Sequence, residues 1–157
     1  MPTTVQFRRG STSQLSNFTG ANGELVFDTT VKTLKLHDGS TQGGIELLRK
    51  DFSNAVTTVS TVTNSATTLD SWSTSTYRSA KYTVSITDNV NSEYQTCDVN
   101  VVHNGSAVSL AVVGSNYTGA SSRMSFTASI ATGSLTLQGI GTSANNTVKY
   151  IRTLLPV

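Results

Sequence analysis

The sequence predicts an all-β protein with three consecutive parts. We expect a small N-terminal β-hairpin module over residues 1–50, an extended connector over 51–72 and an antiparallel β-sandwich over 73–157. Apolar and polar residues alternate along short segments that are separated by turn sequences, as in strands with one buried face. The chain is also rich in Thr, Ser and Val, while only 13% of its residues are charged, which suits pleated sheet.

The charge balance excludes several functional classes. The formal net charge is only +2 and the basic residues are scattered, whereas nucleic-acid binding requires a clustered basic stripe. No segment approaches the roughly 18 apolar residues of a membrane helix, and the N-terminal sequence lacks the apolar core of a signal peptide. We therefore expect no nucleic-acid partner, no membrane insertion and no export by a standard signal.

The predicted module contains an Arg-Arg-Gly turn, a Gly-Glu-Leu opening and a His-Asp-Gly turn, at Arg8–Gly10, Gly23–Leu25 and His37–Gly39. Alternating apolar residues lie between the last two motifs, first Leu25 and Phe27, then Leu34 and Leu36. We expect the His-Asp-Gly turn to reverse the chain so that both strands face a shared interior, with Gly39 at positive φ. Units below about 40 residues usually need a disulfide, a metal or partner chains. The sequence offers neither of the first two, so we expect partner chains.

These residues resemble the N-terminal repeat of bacteriophage tail-fibre, hyaluronidase-type and tropism-determinant proteins. The matching residues are Arg8, Arg9, Gly10, Gly23, Glu24, Leu25, Asp28, Leu34, Leu36, Asp38, Gly39, Thr41, Gly43 and Gly44. The resemblance implies a virion fibre or appendage protein that forms a homotrimer, contacts other virion proteins of the head, neck or tail, and assembles in the bacterial host cytoplasm. It does not imply hyaluronidase activity, which needs much more chain.

The predicted connector is dominated by Thr, Ser, Val and Asn. Phe52, Val56 and Val59 have the 4-3 spacing of a coiled coil, but the stripe ends immediately afterwards. Runs of Thr and Val also disfavour helix. We therefore expect an extended segment that winds with neighbouring chains, with a single helical turn over 51–55 as the open alternative.

The predicted sandwich alternates along almost its whole length, with short strands 8 to 12 residues apart and an Asn104-Gly105 hairpin turn. The sets predicted to share a face are Ala80, Tyr82, Val84 and Ile86; Gln95, Cys97, Val99 and Val101; Val108, Leu110 and Val112; Met124, Phe126, Ala128 and Ile130; Leu135 and Leu137; and Val148, Tyr150, Arg152 and Leu154. The last strand is apolar on both faces near its end, so we expect it to be central or covered. This region, most clearly its closing Val-Lys-Tyr-Ile-Arg-Thr sequence, resembles a β-sandwich domain of phage fibre-like structural proteins.

The sequence offers no convergent catalytic group and no metal-ligand spacing. His37 and His103 each precede a turn and are predicted to be strand-end residues. The carboxylates are scattered, and neither a Gly-x-Ser-x-Gly elbow nor a phosphate-binding loop is present. Cys97 is the only cysteine and is predicted to be a buried, unpaired thiol. We therefore expect no enzyme, no cofactor and no metal.

Two sets of residues are the candidates for contact with other molecules. The trimer or attachment set is Arg8, Arg9, Leu25, Phe27, Leu34, Leu36, Asp38 and Gly39. One arginine is expected to pair with Glu24 or Asp28, and docking on an acidic virion surface is the alternative. The candidates for stacking on a glycan are Trp72, Tyr77, Tyr94 and Tyr117, with packing in a core or chain interface as the alternative.

The leading functional hypothesis is a non-enzymatic phage virion structural protein that forms a short trimeric fibre, spike or decoration on the particle. The alternative is a receptor-binding adhesin that recognises a bacterial surface glycan. A lyase or depolymerase is the least favoured hypothesis, because the sequence lacks paired carboxylates.

Overall fold

The computed structural model describes residues 6–47 and 55–157, and the chain divides into two compact units, Met1–Asn54 and Ala55–Val157. The described residues form twelve strands and one four-residue helix. The predicted all-β class is therefore confirmed. Each unit has its own sheet or sheets and its own buried side chains.

The N-terminal unit is a four-stranded sheet with one helical turn. Its elements are β1 (Arg8–Gly10), α1 (Thr12–Leu15), β2 (Leu25–Asp28), β3 (Thr33–Leu36) and β4 (Ile45–Glu46). The strands are neighbours in chain order; β1 pairs parallel with β2, and the other two pairs are antiparallel. The predicted hairpin is present as β2 and β3, and a further strand lies on each side of it.

The turn that joins β2 to β3 lies at residues 29–32, not at His37–Gly39 as expected. Asp28 ends β2 and its carboxylate accepts two backbone N–H groups of the turn at 2.9 and 3.3 Å, while Lys32 takes a φ of 55°. His37–Gly39 instead begins the loop from β3 to β4, where Gly39 has the predicted positive φ, at 80°. The turn at residues 29–32 was not predicted because it contains no glycine.

The helix α1 was not predicted, although its start is encoded. The Ser11 hydroxyl accepts the Gln14 N–H, and the Gln14 side-chain oxygen accepts the Ser11 N–H at 2.9 Å. This reciprocal arrangement is a capping box, which a Ser-x-x-Gln sequence signals. The helix places Leu15 in the interior of the unit, where it is buried.

The C-terminal unit is a β-sandwich of eight strands. They are β5 (Thr57–Val62), β6 (Thr67–Ser73), β7 (Tyr77–Asp88), β8 (Glu93–His103), β9 (Val108–Tyr117), β10 (Met124–Ala131), β11 (Ser134–Gly141) and β12 (Asn146–Pro156). A five-stranded sheet has the order β5-β12-β7-β8-β9, and a three-stranded sheet has the order β10-β11-β6. All of these pairs are antiparallel.

The predicted connector over 51–72 is wrong from residue 57 onwards, because β5 and β6 are strands of the sandwich, one in each sheet. Val62 is fully buried, and Leu69 and Trp72 also lie in the core. The alternative of a helical turn over 51–55 lies outside the described residues except for Ala55, which is in a 3₁₀ turn.

Two β-bulges explain why these strands were missed. In β5, the register against β12 shifts at Thr61, whose φ is 84°, so Val59 and Val62 point to one face although they are three residues apart. In β6, a register shift at Leu69 has the same effect on Leu69 and Trp72. An extra residue in one strand breaks the period of two, and a spacing of three then imitates a helical stripe.

One hydrophobic core lies between the two sheets of the sandwich, and most predicted inward-facing residues belong to it. Buried positions include Ala80, Tyr82, Val84, Ile86, Gln95, Cys97, Val99, Val101, Met124, Phe126, Leu135, Leu137, Val148 and Tyr150. Val112 is an exception and is exposed, because β9 is an edge strand. β12 is central in its sheet as expected, but β5 reaches only as far as Tyr150, and Ile151 and Leu155 remain exposed.

Candidate interaction surfaces

Strand pairing places most apolar side chains of the N-terminal sheet on one side, which we call the module face. It comprises Arg9, Leu25, Phe27, Leu34, Leu36 and Ile45. Leu36 and Ile45 are 37% and 49% exposed, and Leu25, Phe27 and Leu34 are half-buried. The predicted strands therefore present their apolar residues on an incompletely covered surface of the single chain.

The opposite side of the same sheet is buried and largely polar. Val26, Asp28, Thr33 and Lys35 lie there. The hydroxyl of Thr12 in α1 donates to the Asp28 carboxylate at 2.8 Å, and Lys35 Nζ lies 3.4 Å from it. Burial alone would raise the pKa of Asp28, but these partners and two backbone N–H groups outweigh it and lower the pKa below its usual range.

Arg8, rather than Arg9, makes the predicted ion pair. Its guanidinium lies 3.2 Å from the Glu24 carboxylate and 4.7 Å from the centre of the Phe18 ring. Arg9 is exposed on the module face. The two adjacent arginines therefore differ, since one is held by the unit and the other is presented to its surroundings.

The His-Asp-Gly motif braces the loop between β3 and β4. His37 is buried, and its Nδ1 accepts the Gly20 N–H at 3.0 Å. Asp38 accepts the N–H and hydroxyl of Thr41 and the N–H of Ser40, and these bonds hold the pKa of Asp38 well below its usual range. The contacts are those of a structural turn.

Trp72 is buried and does not present its ring to solvent. It is only 5% exposed, its indole N–H donates to the Tyr82 hydroxyl at 2.9 Å, and its ring lies against His103. Tyr77 is half-buried and packs against the same core. Both aromatic side chains therefore follow the alternative reading, because they fill the core rather than face solvent.

Tyr94 and Tyr117 are exposed, at 53% and 45%. They line the same depression, but their side chains start from opposite faces of the sheet. Tyr117 is paired with Gln95, which points into the core, whereas Tyr94 precedes Gln95 and belongs to the outer face of the five-stranded sheet.

Polar side chains surround Tyr94 on that outer face. Lys149, Ser85, Thr96 and Asn116 are successive partners across β12, β7, β8 and β9, so they form one row. Thr118 lies beside Tyr94, whose backbone N–H donates to the Thr118 hydroxyl at 3.0 Å. We call the row together with Tyr94 and Thr118 the outer groove.

Two shallow depressions make up the outer groove. One of about 310 Å³ is lined by Tyr94, Asn116 and Thr118 among others, and one of about 280 Å³ contains Lys149. Both are lined by Ser85 and Thr96, so they are adjacent. Sequence analysis singled out Tyr94 but missed the row, because serine, threonine and asparagine are too frequent in this chain to stand out.

The remaining chemistry-bearing residues have structural partners. His103 contacts the Tyr77 carbonyl through Nε2 at 2.8 Å and accepts the Gly105 N–H through Nδ1. Within residues 6–47 and 55–157, no three His, Cys, Asp or Glu side chains come together as metal ligands. No helix in this described part is long and apolar enough to cross a membrane.

Comparison with known proteins identifies the N-terminal unit. Residues 5–41 match the family described as the major tropism determinant N-terminal domain. The chain is also 51% identical over 51 residues to the tail fiber receptor-binding protein of Bordetella phage BPP-1, covering 32% of this chain and 13% of that protein. The N-terminal unit is therefore a phage tail-fibre-like module, as its resemblance predicted.

Solved structures give more distant matches. The M1 variant of the major tropism determinant is 25% identical, covers 79% of this chain and 28% of its own, and superposes with a TM-score of 0.30. The tailspike protein of an Acinetobacter phage is 16% identical, covers 66% of this chain and 22% of its own, and has a TM-score of 0.44. The chain thus spans less than a third of each of these proteins, and superpositions of this quality do not define a common fold.

Proposed function

We propose that this protein is a non-enzymatic structural component of a phage virion, in which the N-terminal module joins three copies into a short fibre, spike or decoration. The observation that supports this is the module face. Its apolar side chains are exposed in the single chain although they belong to a module of the phage tail-fibre type. Symmetric association would bury the same patch of every copy.

The N-terminal unit is small. Among its described residues, 6–47, a helical turn and loops cover one side of the four-stranded sheet, and its second side has no core. Burial of apolar surface stabilises by about 25 cal/mol per Å², and neighbouring copies are the nearest source of such surface. Three copies, rather than two, follow from the resemblance to trimeric appendage proteins. Arg9 also lies on this face, where it would contact other virion proteins of the head, neck or tail.

The test is the oligomeric state of the full-length protein, measured by size-exclusion chromatography with light scattering at micromolar concentration. We expect three times the chain mass of 16.6 kDa. Ile45→Lys places a charge on the module face and is expected to shift the protein towards monomer. Val90→Lys makes the same change at an exposed apolar residue of the β7–β8 turn and should leave the mass unchanged. A monomeric wild-type protein would refute the proposal.

A second function, host-receptor binding, is supported by the outer groove and by the name of the Bordetella phage relative, a tail fiber receptor-binding protein. In this proposal the module anchors the protein and the sandwich contacts a bacterial surface glycan. Labelled full-length protein should adsorb to host cells and be displaced by unlabelled protein. Release of reducing sugars from host polysaccharide should not accompany binding, and such release would overturn the non-enzymatic assignment.

A further inference from the structure

We propose that the outer groove binds an acidic saccharide, with a sugar ring stacked on Tyr94 and a carboxylate paired with Lys149. This inference rests on the proposed receptor-binding function and adds to it a site and a ligand class. It selects one exposed tyrosine, Tyr94, for stacking and excludes the buried Trp72, while Tyr117 borders the same depression.

The groove is long enough for more than one sugar. Lys149 and Asn116 lie on β12 and β9, which are three strand spacings apart, or about 14 Å at about 4.8 Å per spacing. The two depressions share Ser85 and Thr96 in their linings, so they lie side by side along the row. A saccharide laid across the strands would contact four side chains of the row in turn.

Several polar groups of the groove are uncommitted within the described part of the chain. The Ser85 hydroxyl, the Tyr94 phenol and the Lys149 ammonium have no hydrogen-bond or ion-pair partner there. The Asn116 side chain makes only a long contact of 3.5 Å to the Gly114 carbonyl. Donors and acceptors that are solvated rather than paired can exchange water for sugar hydroxyls, and the half-exposed Tyr94 ring offers an apolar surface to the sugar face.

The charge of the groove favours an acidic ligand. No carboxylate lines either depression. The nearest acid on this face, Asp98, is paired with Lys81 at 3.0 Å and also accepts the Thr83 hydroxyl, and these bonds, that from Lys81 first, lower its pKa. Lys149 is therefore the one cation on the outer face, within the described residues, without an acidic neighbour. A charge-assisted hydrogen bond to a sugar carboxylate would use it.

The experiment measures binding of full-length protein to oligogalacturonate and oligomannuronate, each compared with its methyl-esterified form. We expect binding to at least one acid form, and at least a tenfold loss on esterification. Tyr94→Ala should abolish this binding, Tyr94→Phe should retain most of it because the ring remains, and Lys149→Gln should weaken binding of the acid to the level of the ester. Val90→Ala, at an exposed apolar residue that lines neither depression, is the control and should bind as wild type.

Three results would overturn the inference. These are failure of every probe to bind, equal binding of acid and ester, and loss of binding in Val90→Ala but not in Tyr94→Ala. Adsorption to host cells, measured in parallel with the same variants, separates this inference from the function on which it rests. Host-cell adsorption that persists in Tyr94→Ala would keep the adhesin and reject this groove. Absence of adsorption by the wild type would reject the adhesin itself.

Discussion

The N-terminal sheet and the five-stranded sheet of the sandwich both alternate apolar and polar side chains, but they bury different halves of the alternation. In the sandwich, Tyr82, Val84 and Ile86 point into a core that the second sheet completes. In the module, Asp28 and Lys35 are buried, and the apolar module face is left half-covered. Alternation of apolar and polar residues therefore identifies the two faces of a strand, but not which face is covered within a single chain.

The difference has a physical origin in what lies on each side. Two facing sheets can bury each other's apolar faces at a spacing of about 10 Å. The module has no second sheet among its described residues. Its helical turn α1 supplies the Thr12 hydroxyl to Asp28, so this side is stabilised by hydrogen bonds and an ion pair. The apolar side is then the one available to other chains.

Removal of strands from the sandwich should have the largest effect on stability. A fragment of residues 55–157 should unfold cooperatively on heating, because it contains both sheets and the whole core. A fragment of 73–157 should show no cooperative transition, since it lacks Val62, Leu69 and Trp72. Loss of one large core side chain costs about 3–5 kcal/mol, and total stabilities are about 5–15 kcal/mol.

Circular dichroism against temperature measures this, with the longer fragment as the control. A cooperative transition in residues 73–157 would show that β5 and β6 are dispensable and would restore the connector predicted from the sequence.

Sequence reasoning succeeded where the period of two is unbroken. The long strands β7 and β8 and the strands β10, β11 and β12 were predicted with the correct inward faces. It failed at β5 and β6, where one extra residue per strand shifts the pattern. The row of Lys149, Ser85, Thr96 and Asn116 could not have been predicted, because it exists only once the register of four strands is known.

The same type of turn, stabilised by a buried aspartate, occurs in both units. Asp28 and Asp88 each end a strand, are fully buried and accept the backbone N–H groups two and three residues later. Asp28→Ala should cost the module about 3 kcal/mol, since Lys35 would remain buried without its counter-ion. Asp88→Ala should cost the sandwich less, about 2 kcal/mol, because it leaves no buried cation unpaired and most of its donors lie in an exposed turn that water can reach.

Hydrogen exchange read separately over 6–47 and 55–157 measures both effects. The expected result is that each substitution raises exchange in its own unit. Equal losses in the two units, or a larger loss for Asp88→Ala, would show that the buried ion pair is not what distinguishes the module.

Glycines at positive φ provide a smaller contrast. Gly39, Gly44 and Gly133 have φ of 80°, 69° and 75°. A Cβ on Gly44 would lie 2.9 Å from the His37 ring, whereas a Cβ on Gly133 would have no neighbouring atom within 4 Å. We expect Gly44→Ala to destabilise the module by about 2 kcal/mol and Gly133→Ala to destabilise the sandwich by about 1 kcal/mol.

Gly39→Val should fall between them, because its strain arises from the backbone and the nearest atom to a new Cβ is 3.6 Å away. It should weaken trimer formation while the sandwich stays folded. Light scattering and thermal unfolding of the three variants test the order, and an unchanged Gly39→Val protein would show that this loop does not set the geometry of the module.

Acid should act on both units through Asp28 and Asp88. In each case burial raises the pKa, but hydrogen bonds outweigh it and leave the pKa below the ordinary value of 3.8. The unfolded chain therefore binds protons first as pH falls. The stabilisation is complete above about pH 4 and declines as pH decreases towards the lower folded values. The thermal unfolding midpoint, measured from pH 6 to pH 2, should decrease below about pH 4. The decrease should be less steep in Asp28→Asn and Asp88→Asn. A wild-type midpoint that does not change with pH would contradict this prediction.

The smallest expected effect concerns Cys97, which belongs to the buried half of the sandwich alternation. Burial, and to a lesser degree the charge of Asp98, raises the pKa of the Cys97 thiol to about 11. A buried thiol that stays protonated should not react with iodoacetamide until the sandwich unfolds. Cys97→Ser places a hydroxyl in this apolar site and should cost about 1–2 kcal/mol, while Cys97→Val keeps the site apolar and should cost less than Cys97→Ser. Neither variant should change the oligomeric state, because the side chain faces the core and not a neighbouring chain. Rapid alkylation of the folded protein, or a disulfide-linked species on non-reducing gels that disappears in Cys97→Ser, would show that this strand opens or that its inward face contacts another copy.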